Sequence, residues 1–251
     1  MQAAVIIPAR LAAERLPRKP LATLGELPLV VHVFQQASRS ERADHVIVAT
    51  DSEEVCDTVR AHGGRAVMTS EAHTSGTDRV AEVARAEGFD IIVNVQGDEP
   101  FLHPQDIDAI IETLQTDVGA HAMVTLSKPI ESRDEFVDPN VVKVVRGDNG
   151  MAMYFSRAPI PCSRDAAELP EQASRHIGVY GYRRAILEKM STTPPHPLET
   201  VEKLEQLRAL ATGIPIAVLD ARSHGRGIDT PDDLEWARTR LETLGAQAFG
   251  G

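Results

Sequence analysis

Three short, largely apolar runs set the architecture: AAVIIP (3–8), HVIVAT (45–50) and DIIVNVQ (90–96). Each is shorter than an ordinary helix and lacks the alternation of a strand with one wet face. Such runs read as strands buried on both faces, the pattern of a parallel sheet covered by helices. The segments between them carry helical length and punctuation. LVVHVFQQAS (29–38) is of helical length. SEEVCDTVRAHGG (52–64) opens with Ser52 as a cap, has acids behind it and ends at glycine. A short strand, RAVMT (65–69), follows. TDRVAEVARAEG (77–88) places Val80, Val83 and Ala84 on one face and stops at Gly88, and PQDIDAIIETLQT (104–116) begins with proline in its first turn. This βαβα rhythm predicts a mostly parallel, Rossmann-like α/β sheet flanked by helices. Right-handed crossovers align the strand C-termini along one edge, where such sheets bind ligands.

The middle of the chain changes character. VVKVVR, the turn GDNG (147–150) and MAMYFSR predict a β-hairpin, and SRHIGVYGYRR (174–184) another strand. PLETVEKLEQLRALATG (197–213) predicts one long helix, IPIAVLD (214–220) a strand, and TPDDLEWARTRLETLG (230–245) a last helix with Thr230 as cap and Pro231 at its first position. The tail GAQAFGG is expected to fray. No repeat or linker divides the chain. The economical reading is one domain over 1–251 with a β-rich insertion at about 128–184.

Composition narrows the function. The net charge is −11 and only 4% of the 251 residues are aromatic, which argues against a nucleic-acid partner. Cys56 and Cys162 form no zinc or disulfide pattern, and the nine histidines form no HxH or HxxxH pair. The N-terminus lacks a basic leader and no long apolar run predicts membrane insertion, so a cytoplasmic protein is expected.

Against that acidic background, Arg10, Arg15, Arg18 and Lys19 crowd the segment after the first strand, with prolines instead of the glycines of a phosphate loop. Arginine grips phosphate oxygens bidentately and lysine supplies a compact charge; a solvated basic loop would read the same way. In VNVQGDEP (93–100), Asp98 lies past a buried strand, where a carboxylate suits Mg²⁺ or simply a turn. In GRGIDTPDD (225–233), Asp229 stands apart from the helix-capping Asp232 and Asp233 and can be a second carboxylate for the same metal. HTSGTDR (73–79) precedes a helix, so its hydroxyls and N–H groups can meet a nucleoside or merely cap the helix. A polar set, Arg157, His176, Tyr180, Glu202, Glu205 and Gln206, surrounds the hairpin and the long helix. His176 and Tyr180 point to one side of their strand, and the two glutamates share a helix face with Gln206. A solvated face or satisfied core groups would look alike.

Together the stretches VIIPARLAAERLPRKPL, VATDSEEV, HTSGTDR, VNVQGDEP, YFSRAPIP, RHIGVYGYR, PLETVEKLEQLR and GIDTPDDL are far more specific than any one of them. In this order the chain closely resembles the 3-deoxy-manno-octulosonate (Kdo) cytidylyltransferases over nearly its whole length. The resemblance implies a glycosyltransferase-A-like nucleotidyltransferase fold, a homodimer and a Mg²⁺ cofactor. It implies transfer of CMP from CTP to the anomeric hydroxyl of Kdo, with release of pyrophosphate, for lipopolysaccharide synthesis. Arg10, Arg15 and Lys19 then bind the triphosphate, and Ser75, Gly76, Arg79 and Gln96 belong to the nucleotide pocket. Asp98 and Asp229 hold the metal; with Arg10 and Lys19 they form the catalytic set. Arg157, His176, Tyr180, Glu205 and Gln206 form the sugar pocket, with Arg157 as partner of the sugar carboxylate. The family usually reads RLPGKP where this chain has RLPRKP, so Arg18 either strains the backbone or adds a phosphate contact. An aromatic residue is common where this chain has Cys162. A related sugar acid, such as 8-amino-Kdo or a nonulosonate, is the nearest alternative substrate. A non-catalytic nucleotide-sugar sensor is the alternative from another class.

Overall fold

The five residues Ala3–Ile7 have no exposed surface, as a doubly covered strand requires. They form β1 (Ala3–Pro8) in a computed structural model that describes residues 1–12, 15–73, 75–116, 122–164, 169–223 and 225–249. The contacts divide the chain into two compact units, Met1–Glu112 with Arg222–Gly251, and Thr113–Ala221. The stretch 128–184, expected to be an insertion, lies within the second.

In the first unit, a small ribbon of β2 (Thr23–Leu24) and β3 (Leu27–Pro28) precedes α1 (Leu29–Ala37). Then come β4 (His45–Thr50), α2 (Glu53–Ala61), β5 (Arg65–Met68), α3 (Gly76–Glu87), β6 (Ile91–Asn94) and the start of α4 (Pro104–Thr116). The strands lie in the order β6-β1-β4-β5, all parallel, with Val5 opposite both Val46 and Val93. The α/β class and the parallel sheet expected from the apolar runs are therefore found. The chain steps outward from β1 through β4 to β5, then returns to place β6 on the other side of β1. That reversal puts the topological switch point at the C-terminal ends of β1 and β6, where Arg10 and Gln96–Asp98 emerge.

The C-terminal segment re-enters this unit by a buried clamp. Asp106, 1% exposed, accepts from Arg222 N at 2.8 Å and Ser223 N at 3.0 Å and also from the Ser223 hydroxyl. Ser223 Oγ in turn accepts from His103 N at 2.9 Å. The chain then passes so close to Phe101 that a Cβ on Gly225 would lie 2.3 Å from the Phe101 Cβ. Further along, Thr230 and Asp233 form a capping box at the start of α9 (Pro231–Leu244). The tail does not fray as expected. Residues Gly245–Phe249 form a 3₁₀ turn, and Phe249 stacks on His32 at 5.2 Å and on Phe101 at 5.5 Å. Burying that ring outweighs the chain entropy that usually loosens an end. Gly250 and Gly251 lie outside the described residues.

The second unit contains β7 (Met123–Pro129), α5 (Arg133–Val137), β8 (Lys143–Arg146), β9 (Ala152–Ser156) and β10 (Ser174–Arg183). It continues with α6 (Arg184–Thr192), α7 (Pro197–Glu202), α8 (Gln206–Ala211) and β11 (Ile216–Asp220). β7 pairs in parallel with β11 and antiparallel with β10, while β8 and β9 form the expected hairpin. The long helix expected over 197–213 is instead two short ones. Lys203 adopts φ 56° ψ 45°, ends α7 and lets Leu204 turn into the core. This left-handed cap is usually a glycine, so a lysine in its place gave no signal of the break. Among the described residues, no helix is long and apolar enough to cross a membrane.

Candidate active site

A cleft of about 450 Å³ opens at the switch point of the first unit. Its lining includes every nucleotide and metal residue expected from the sequence: Arg10, Arg15, Lys19, Ser75, Gly76, Arg79, Gln96, Asp98 and Asp229. β1 delivers Arg10, β6 delivers Gln96 and Asp98, and the N-terminus of α3 delivers Ser75 and Gly76. Close packing holds the two strand ends together. A Cβ on Gly97 would lie 2.9 Å from the Pro8 carbonyl oxygen, so only glycine fits the QGD turn without a backbone shift.

Asp98 and Asp229 meet because their backbones are tied: Ile228 N donates to the Asp98 carbonyl at 2.9 Å. Both carboxylates accept from one ammonium, with Lys19 Nζ 2.8 Å from Asp229 Oδ1 and in direct contact with Asp98 Oδ2. Arg15 adds an ion pair to Asp229 at 3.1 Å. Burial works against the Lys19 charge, but the Asp98 charge and the two hydrogen bonds outweigh it and raise its pKa. Burial, reinforced by the Asp229 charge, raises the pKa of Asp98 despite Lys19. Burial also acts on Asp229, yet the Lys19 hydrogen bond and charge, with Arg15, lower its pKa. The pair therefore holds its negative charge first on Asp229.

Two carboxylates within reach of one cation, with open cleft beside them, match the donor set of Mg²⁺, which fills its shell with water and substrate oxygens. Among the described residues no group of three or more His, Cys, Asp or Glu side chains is arranged to hold a metal on its own.

Arg10 is exposed and forms no ion pair with the described residues. Arg18 turns away from the cleft: its guanidinium pairs with Glu54 on α2, and its backbone sits at φ 56° ψ 32°. The added-phosphate-contact alternative for Arg18 therefore fails, and the strain alternative holds. Ser75 caps α3 by accepting from Asp78 N at 3.1 Å, and the positive end of that helix borders the cleft. Arg79 is 3% exposed, held by Asp51 Oδ2 at 2.7 Å and by the Thr69 hydroxyl. It stiffens the cleft wall through partners the sequence reading did not single out. Asp51 also accepts from Leu11 N at 3.3 Å, linking that wall to the cationic loop.

The expected sugar residues all lie in the second unit. His176 and Tyr180 are four apart on β10, a span of about 13 Å in a regular strand. Their ring centroids are only 5.2 Å apart. The register explains this: His176 pairs with Ser127 and Tyr180 with Thr125, so Gly178 and Val179 are extra residues in a bulge. Phe155 meets the edge of His176 at 5.2 Å. Burial, with the nearby Arg175 charge, pushes His176 down to about 3, so it is neutral at physiological pH. Burial raises the Tyr180 hydroxyl well above its usual value, with the Tyr182 and Glu205 charges adding to it.

Glu205 and Gln206 start α8 and do not share one long helix face with Glu202, because the chain breaks at Lys203. Gln206 is 5% exposed, and its amide nitrogen has no hydrogen-bond partner among the described residues. Glu202 is not a solvated face: it accepts from Ser156 Oγ at 2.6 Å and Arg157 N at 2.9 Å. Arg157 is more committed than expected. Its guanidinium donates to the carbonyls of Glu202 at 2.7 Å, Pro139 at 2.8 Å and Lys203 at 3.5 Å, capping the C-terminus of α7.

A parallel α/β sheet with a cationic, dicarboxylate cleft at its switch point is the framework of a nucleotidyltransferase, and the chain belongs to the cytidylyltransferase family. A family model described as Cytidylyltransferase matches residues 4–216. The chain is 44% identical to the 3-deoxy-manno-octulosonate cytidylyltransferase of Trichlorobacter lovleyi, over 96% of this chain and 99% of that one. It is 46% identical to the protein of the same name from Gemmatimonas aurantiaca, over 98% and 96%. Among solved structures it matches a CMP:2-keto-3-deoxy-manno-octonic acid synthetase complexed with CTP, with TM-score 0.91, 39% identity and coverage of 97% and 99%.

Proposed function

We propose that this protein transfers CMP from CTP to the anomeric hydroxyl of Kdo and releases pyrophosphate, the activation step that precedes use of the sugar acid in lipopolysaccharide. The observation that carries this reading is the convergence of Arg10, Arg15 and Lys19 with Asp98 and Asp229 in one cleft. Its relatives' names supply the substrate class.

Arg10, Arg15 and Lys19 bind the triphosphate and stabilise the charge that develops on departing pyrophosphate. Two unit charges about 4 Å apart attract by roughly 4 kcal/mol at an effective dielectric of about 20, so three cations offset the repulsion of an acidic protein. The nucleoside side of the substrate rests against Ser75, Gly76 and Gln96, with Arg79 bracing the wall. Asp98 and Asp229 would hold Mg²⁺, which when bound lowers the pKa of a ligated hydroxyl and neutralises phosphate charge. His176, Tyr180, Glu205 and Gln206 orient the sugar acid for in-line attack on the α-phosphorus. Arg157 keeps two N–H groups beyond its three carbonyl contacts and presents these to the sugar carboxylate. We further propose a cytoplasmic homodimer. In the second unit, Val201 is 81% and Leu198 42% exposed on α7, apolar surface suited to a second copy.

Pyrophosphate release from each of the four nucleoside triphosphates, with Kdo, 8-amino-Kdo or a nonulosonate and with or without Mg²⁺, tests the reading. Release with CTP, Kdo and Mg²⁺ together is expected. Preference for another sugar acid would reassign the substrate. Binding without release in every combination would favour a nucleotide-sugar sensor.

A further inference from the structure

The bulge in β10 creates a polar device that the sequence gives no hint of. Its two extra residues, Gly178 and Val179, disturb the ladder between Ile177 and Tyr180. Thr125, fully buried on β7, stands opposite this gap. Its hydroxyl lies 2.8 Å from the Val179 carbonyl oxygen, 3.3 Å from the Ile177 carbonyl oxygen and 2.9 Å from His176 Nε2.

A hydroxyl has one proton to give and lone pairs to receive. A carbonyl oxygen can only accept. If the Thr125 proton went to the imidazole, the oxygen would face the Val179 carbonyl at 2.8 Å with lone pair against lone pair. The proton therefore goes to Val179, and Thr125 Oγ1 must accept from His176. Because His176 is neutral, a hydrogen on Nε2 leaves Nδ1 as a bare acceptor. Among the described residues nothing donates to Nδ1, while the Phe155 and Tyr180 rings each pack against the imidazole with centroids 5.2 Å away.

We propose that Thr125 is a positioning residue that fixes His176 as the Nε2–H tautomer, so that Nδ1 accepts a hydrogen bond from a hydroxyl of the sugar acid. The pocket thereby demands a donor at that position and rejects an anion there. This inference rests on the proposed function for the identity of its ligand; the tautomer itself does not depend on it.

Nitrogen-15 NMR of the His176 ring in the substrate-free protein reads the tautomer directly. The expected spectrum at neutral pH has Nε2 protonated and Nδ1 bare; the opposite tautomer overturns the proposal. Thr125→Val keeps the side-chain shape and removes the acceptor, whereas Thr125→Ser keeps it. Thr125→Val is expected to mix the tautomers and raise the KM for Kdo about tenfold, the size of one ordinary hydrogen bond. It should leave the KM for CTP unchanged, with Thr125→Ser restoring both readouts. An unchanged tautomer and Kdo KM in Thr125→Val would overturn the proposal. If Thr125→Val does not fold, the wild-type spectrum and the Thr125→Ser kinetics decide. The correct tautomer in a protein that releases no pyrophosphate would overturn the proposed function alone.

Discussion

Lys19 and Asp229 lie 210 residues apart in sequence and meet at 2.8 Å, Nζ to Oδ1. The same ammonium touches Asp98, so one side chain gathers both carboxylates of the cleft. If the cleft binds triphosphate and Mg²⁺ as proposed, the two sites are one electrostatic unit, and changes to either carboxylate or to the lysine should separate binding from turnover.

Asp98→Asn removes one charge from that unit while preserving its shape. Pyrophosphate release should fall by about a hundredfold or more. CTP binding by calorimetry should stay within about threefold of wild type, because the three cations remain. A near-normal rate in this variant would remove Asp98 from the chemistry.

Lys19→Ala should lower kcat by about tenfold to a hundredfold, with a smaller effect on the KM for Kdo. Steady-state kinetics with each substrate varied in turn makes the distinction. The reverse pattern would place Lys19 with the sugar acid.

Arg18 tests the backbone. Its left-handed conformation costs an ordinary residue roughly 1–2 kcal/mol, and its pairing with Glu54 is exposed and therefore weak. Both Arg18→Gly and Arg18→Ala lose that pair, but only glycine escapes the strain. Arg18→Gly should be more stable than Arg18→Ala by about 1 kcal/mol in urea unfolding. Equal stability would show that the loop relaxes to another backbone geometry.

The clamp at Asp106 should matter for stability and for turnover alike. Asp106→Ala leaves the buried Ser223 N–H and hydroxyl and the partly buried Arg222 N–H without their acceptor, a loss of about 2–4 kcal/mol. Because Asp229 follows on the same segment, kcat should drop even at temperatures where the variant remains folded. Wild-type kcat in the folded variant would show that the Ile228–Asp98 tie positions Asp229 unaided.

His176 gives a pH dependence with a defined sign. Its folded pKa of about 3 lies below the unfolded value of about 6.5. Between these values the unfolded chain holds a proton that the folded one refuses, so stability falls as pH drops through that window. The slope reaches at most about 1.4 kcal/mol per pH unit from this group. Urea midpoints measured from pH 7 to pH 4 should fall less steeply in His176→Gln. Parallel slopes would show that another group carries the acid sensitivity.

Much of the first unit was legible because its strands are covered on both faces and its helices carry local caps. Ser52 and Thr230 cap their helices where the sequence placed them. The cleft was legible because its side chains sit at strand and helix ends, which fixes them to one sheet edge. What stayed hidden depends on pairing at a distance. Nothing in MVTLSKP announced β7, whose place depends on β10 and β11. Lys203 broke a helix by a backbone conformation that its side chain does not advertise, and the carbonyls at the end of α7 are capped by Arg157, which follows β9. Asp106 lies in the first turn of α4, where an acid is common, and its partners lie 116 and 117 residues away.

The hydrogen bond from Ile228 to the Asp98 carbonyl also has a consequence for synthesis on the ribosome. Residues 1–112 include the cationic loop and Asp98, but Asp229 belongs to the returning segment of the same unit. Translation supplies it on the order of ten seconds after Asp98. A nascent or prematurely terminated chain thus carries the cationic loop and Asp98 while lacking half of the carboxylate pair. On the proposed chemistry, a product that stops before Asp229 should release no pyrophosphate.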